Sequence, residues 1–159
     1  PAMFWTGDWT ASELAEEFKG KEDDYDVIDL PKKEKKGTII HGLGWVASAK
    51  SENKAAALAL IAHMSGKESQ EVEAKNGTAI PAFNGTQDAW IKSYPKWNCK
   101  MFVAAATSYA VTYPVSRNTD AWANREADFL NPAFAGETPV PQAAKKLAAF
   151  MNDALSKEK

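Results

Sequence analysis

Two histidines, His41 and His63, one cysteine, Cys99, and a scatter of serines and carboxylates are the groups in this chain suited to metal, nucleophilic or acid–base chemistry. Their spacing argues against each. Neither histidine has a second ligand three or four residues away, as a metal-binding helix requires. No Gly-x-Ser-x-Gly marks a strained nucleophile, and a serine triad or a Cys99–His41 pair would have to borrow one of only two imidazoles. A lone helical cysteine reads as core. Asp8, Asp26 and Asp29 would serve a glycosidase only if two of them flanked one glycosidic bond, and sequence cannot place them so. The expectation is a protein that binds without catalysing, with no cofactor and no metal.

What remains is an aromatic inventory of six tryptophans, four tyrosines and seven phenylalanines. Trp9 follows Gly7-Asp8, Trp45 follows Gly44, and Tyr113 precedes Pro114, so several rings sit beside turns rather than inside elements. Aromatic faces stack on the apolar C–H faces of sugars, while Asp, Arg, Asn and the backbone at glycine turns bind the hydroxyls. Together they describe a carbohydrate cleft.

The elements that would position these rings centre on Gly37 to Met64. The order there is strand, a Gly-X-Gly gap at Gly42 to Gly44, a second short extended run, and a helix from Ser51, with Leu58, Ile61 and Ala62 on one face and well buried. Gly42 and Gly44 would admit a ligand close to backbone beside the flat face of Trp45; alternatively they relieve a bulge and Trp45 is core. Upstream, Ala2 to Thr6 is apolar on both alternating faces and predicts a doubly covered strand ended by Gly7. Thr10 to Glu13 predicts a capping box and a helix to about Lys19, and Tyr25 to Leu30 a second strand stopped by Pro31. Downstream, helices are expected at Gly66 to Lys75, Gln87 to Ser93, Asn98 to Ala110, from Asn118 or Thr119 through Phe129, and from Thr138 onward. The last would bury a stripe of Val140, Ala144, Leu147, Met151 and Leu155. Residues 111–118, with an aromatic, a proline, a cation and an amide, read as a binding loop.

Nineteen basic against 21 acidic residues leave a net charge of −2, so no global field recruits nucleic acid or an anionic membrane. One compact domain with a real core is expected of 159 residues that are 45% hydrophobic. A single cysteine excludes an internal disulfide. No apolar run reaches the length of a membrane span, and the N-terminus lacks signal-peptide regions. Its strand-like start suggests a chain whose beginning lies upstream.

Five segments, in order, resemble the ABC-transporter extracellular solute-binding proteins of family 1, the maltose-binding-protein-like sugar receptors. Ala2-Met3-Phe4-Trp5-Thr6-Gly7-Asp8-Trp9 is similar to a family strand and turn whose terminal tryptophan stacks on sugar, and Tyr25 to Pro31 to a following strand. His41-Gly42-Leu43-Gly44-Trp45-Val46-Ala47-Ser48-Ala49-Lys50-Ser51, continued by Asn53-Lys54-Ala55-Ala56-Ala57, resembles the most recognisable segment, with His41 in place of its first glycine. Ile80-Pro81-Ala82 is similar to a family turn, and Tyr113-Pro114 to Trp122 to a late cleft loop and the helix behind it. The resemblance implies an α/β architecture: the helix-rich C-terminal part, about the last two-fifths, of a two-lobe type II periplasmic-binding-protein-like fold with few strands and many helices. Residues 1–36 would supply second-lobe strands and a helix, 37–86 would cross to the first lobe, and 87–159 would form the helical C-terminal part. It also implies a sugar or oligosaccharide captured between lobes and delivered to membrane permease subunits. The setting would be extracellular, on a cell-surface lipoprotein or in a periplasm, and an N-terminal portion of the receptor would be a further partner. Stacking would fall to Trp9, Trp45 and Tyr113, hydroxyl contacts to Asp8, His41 and Arg117, and close backbone approach to Gly42 and Gly44; Trp122 reads as core. Parted from its N-terminal portion, such a piece would expose strand edges and apolar faces and form a homodimer. From another class, an α-rich protein-interaction module without a small-molecule ligand fits the alanine-rich helices.

Overall fold

The computed structural model describes residues 3–158, with eight α-helices and two short strands among them. The chain divides between Thr112 and Tyr113 into two compact units.

The first unit is built on an aromatic knot. Helix α3, Lys67–Lys75, ends at Asn76-Gly77, where Gly77 adopts φ +71°, a left-handed turn that favours glycine. The chain then returns through residues 78–86 to α4, Gln87–Lys92. The Gly77 carbonyl accepts from Trp90 Nε1 at 3.2 Å and from the Tyr94 hydroxyl at 2.5 Å. Trp90 is fully buried, edge-on to Tyr94 at 5.3 Å and to Phe102 at 6.0 Å, and Tyr94 stacks on Trp97. Each such pair adds about 0.5–1.5 kcal/mol beyond burial. Ala11, Ala74 and Cys99 complete the buried cluster. Buried Gln70 keeps its amide satisfied, donating to the Met64 carbonyl and Glu73 and accepting from the Ala82 N–H.

Helix α1, Ala11–Glu17, packs Leu14, Ala15 and Phe18 on this cluster. The expected capping box does not form: the Thr10 hydroxyl donates to the Gly7 carbonyl at 3.0 Å and hydrogen-bonds the Thr6 hydroxyl, closing the turn instead of capping a free N–H.

Neither early strand forms. Residues 3–6 carry no regular structure and expose Met3, Phe4 and Trp5; a doubly apolar strand needs sheet neighbours, and none lies beside it among the described residues. Ala2 lies outside the described residues. Residues 25–30 make no ladder either; their aspartates accept backbone N–H groups, two from the next residue along and one from distant Asn98. Asp26 Oδ1 accepts from the Val27 and Asn98 N–H groups, both at 2.7 Å, and Asp29 Oδ1 from Leu30 N–H at 3.0 Å. Lys36 and the Tyr109 hydroxyl both donate to Asp29, and in that order they hold its carboxyl below the usual range.

The sheet is one parallel pair. β1, Thr38–Ile40, runs beside β2, Ala110–Thr112, in the register Thr38 to Ala110 through Ile40 to Thr112. The helix expected to run to Ala110 therefore stops earlier, as α5, Lys100–Ser108, and its last predicted residue is strand. Among the described residues the second extended run after Gly44 has no strand partner. Helix α2, Lys54–Met64, starts three residues past Ser51 and has no buried residue; Leu58 and Leu60 are each 61% exposed, so the expected burial of this helix is corrected.

In the second unit the predicted single helix is two, α6, Asp120–Ala123, and α7, Glu126–Phe134. Pro132 sits in the last turns of α7 without ending it, and Gly136, at φ +78°, closes the region. Helix α8, Val140–Ser156, has Pro139 rather than Thr138 at its N-cap. Its inward face is Ala143, Leu147, Phe150, Met151 and Ala154, while Val140, Ala144 and Leu155 are exposed. The stripe is thus turned from the expected one, and Phe150 meets Phe129 of α7 at 5.2 Å.

Candidate ligand site

In the first unit two of the predicted ligand residues, Trp9 and His41, meet from stretches far apart in sequence. The 3-10 turn Asp8–Thr10 is tied to residue 80, where Asp8 Oδ2 accepts the Ile80 N–H at 3.2 Å. It presents Trp9, 55% exposed, to the His41 imidazole, with ring centroids 5.6 Å apart and planes tilted by 46°. His41 continues directly from β1, so the strand pair is what carries it to this place.

Beyond His41 the backbone is open. A Cβ on Gly42 or Gly44 would meet nothing within 4 Å, so no packing inside the chain calls for glycine at either position, and neither lies at positive φ. Trp45 is 59% exposed and is not core. The structure thus brings the Trp9 indole to the His41 imidazole and leaves open space at Gly42 and Gly44 and an exposed indole at Trp45.

The second unit holds the other two predicted residues. Tyr113 stacks on buried Trp122, with centroids 6.2 Å apart and planes within 13°, and its hydroxyl is 3.4 Å from Glu126 Oε1. Burial foremost, and then the Glu126 charge, raise its pKa. Trp122 donates its indole N–H to Ser116 Oγ at 3.0 Å. Arg117 is exposed.

One residue that shapes this loop carried no sequence signal. Glu158 accepts from the Ser116 hydroxyl at 2.5 Å and the Asn118 N–H at 3.1 Å through Oε1, and from the Arg117 N–H at 3.0 Å through Oε2. Those donors, the Ser116 hydroxyl first, lower its pKa. A glutamate among the charged residues after α8 reads from sequence as a solvated tail.

Among the described residues no group of His, Cys, Asp and Glu converges to hold a metal, and no helix is long and apolar enough to cross a membrane.

A family model described as bacterial extracellular solute-binding protein matches residues 2–99. That span includes Asp8, Trp9, His41, Gly42, Gly44 and Trp45; Tyr113 and Arg117 lie beyond it. No curated protein and no solved structure matches the chain.

Proposed function

The chain belongs to the bacterial extracellular solute-binding proteins, and from that premise we propose that its solute is a sugar or oligosaccharide, captured for an ABC importer and handed to the permease subunits. The observation that carries this reading is the half-exposed Trp9 ring held against His41 beside the open backbone of Gly42 and Gly44. An indole more than half exposed suits the C–H face of a pyranose, and the nearby imidazole, the Asp8 carboxylate and the glycine amides suit its hydroxyls. Trp45 and Tyr113 are the further stacking rings and Arg117 a further hydroxyl partner, with an N-terminal portion of the receptor supplying the rest of a two-lobe cleft. The protein works outside the cytoplasmic membrane, as a cell-surface lipoprotein or in a periplasm.

Intrinsic tryptophan fluorescence and calorimetry against a panel of oligosaccharides test the reading. Saturable quenching or shift with at least one sugar is expected. A protein that binds amino acids or peptides and none of the sugars would overturn it.

A further inference from the structure

Gly7 is a glycine whose own backbone does not call for one. Its φ of −103° and ψ of 174° are extended values open to any L-residue. What excludes a side chain is the indole two residues on. A Cβ on Gly7 would lie 2.1 Å from Trp9 Cζ3, 2.3 Å from Cη2 and 2.6 Å from Cε3, far inside the roughly 3.5–4.0 Å at which carbon atoms rest against one another. The six-membered part of the indole therefore sits directly on the bare Cα of Gly7. The seat is itself braced: the Gly7 carbonyl accepts from both the hydroxyl and the N–H of Thr10, at 3.0 and 3.3 Å, and Asp8 ties the turn to Ile80. Trp9 nonetheless keeps more than half its surface in water and faces His41. A core tryptophan would be wedged by side chains on both sides; this one is propped on backbone.

We propose that Gly7 is a positioning residue for the solute site: it seats the Trp9 indole against His41, so that the ring is ordered before a sugar arrives and the entropy of fixing it is lost on folding rather than on binding. The proposal rests on the sugar-binding reading above. Gly7 touches no solute in this account and acts only through Trp9.

The test is a double-mutant cycle in the full chain with Gly7→Ala, Trp9→Ala and the double variant, titrated with maltotriose, cellotriose and xylotriose. Each single change is expected to weaken binding on the order of tenfold, and the double variant to bind no more weakly than Trp9→Ala. Losses that multiply, or an unchanged affinity in Gly7→Ala, would overturn the proposal. If Gly7→Ala lowers the melting temperature, the drop should vanish in the Trp9→Ala background, where no ring remains to collide; a drop that persists there also counts against it. A ligand-free readout separates the two readings. The Trp9 indole N–H resonance, identified by its absence in Trp9→Ala, should shift in Gly7→Ala and lose its cross-peak to His41, while that of Trp90 stays in place. Should the wild-type chain bind none of the sugars, the sugar reading fails, and the indole resonance still decides whether Gly7 seats the ring.

Discussion

An indole left half in water adds little to stability, whereas the same ring stacked on a sugar buries the surface it leaves exposed. Trp9→Ala is therefore expected to weaken oligosaccharide binding by about 1–3 kcal/mol while leaving the fold largely intact. An unchanged calorimetric affinity in a folded variant would remove Trp9 from the site, and a large fall in melting temperature without selective loss of binding would make it core. Cys99 is the opposite case. It is fully buried, and burial first, then the Asp26 charge, pushes its thiol up to about 11. The folded chain thus keeps a proton that the unfolded thiol gives up near its ordinary value of about 8.5. The associated stability is fully present below that pH and is lost as pH rises through the folded value. At pH 8 an aromatic disulfide reagent should label the native protein slowly and the denatured protein at once. Rapid stoichiometric labelling of the native chain would contradict this burial.

Among the elements, the loop between β2 and α6 is held by a carboxylate from beyond α8. Glu158→Gln keeps the shape but replaces a charged acceptor of three donors with a neutral one, and faster amide exchange at Arg117 and Asn118 is expected, with little change at Trp90. Because partners lower the Glu158 pKa, the clamp is in force above the ordinary glutamate value of about 4.3 and is lost as pH falls through the lower folded value. Exchange that stays protected in Glu158→Gln would show the loop to be held by Trp122 alone. The sequence foretold helix α3 and its end at the Gly77 turn, because that signal is local, whereas the break between α6 and α7 and the passage of α7 through Pro132 carried none. The strands expected at Ala2 to Thr6 and Tyr25 to Leu30 rest on apolar, extended-favouring runs bounded by Gly7 and Pro31, and such local signals are silent about whether a neighbouring strand exists. The site divides in the same way. Trp9 and Trp45 were legible as rings beside turns, with core left open for Trp45, but the meeting of Trp9 with His41 depends on the β1–β2 pairing, and the Glu158 clamp on tertiary placement without a motif.

For the molecule as a whole, the exposed apolar surface has a consequence. Leu58 and Leu60 of α2, together with Leu43 and Val46, stand in solvent, and a helix apolar on every side is ordinarily covered. The isolated chain is expected to self-associate at micromolar concentration, read by light scattering, and to bind free sugar weakly. Leu58→Lys with Leu60→Lys should shift it toward monomer, and a wild-type monomer with micromolar or better sugar affinity would refute both expectations. The double hydrogen bond at the Gly77 carbonyl bears on how the chain comes together in time. It joins residues only 13 and 17 apart, whereas the contacts of Lys96 with Asp23 and of Trp97 with Glu22 span 73 and 75. Short loops close at small entropic cost, so the α3 to α4 hairpin is placed to assemble first and to serve as the nucleus on which the N-terminal turns later dock. Gly77→Ala, which forces a Cβ to 2.6 Å from the Tyr94 oxygen, should then slow refolding in stopped-flow fluorescence, while Asp23→Ala should chiefly speed unfolding.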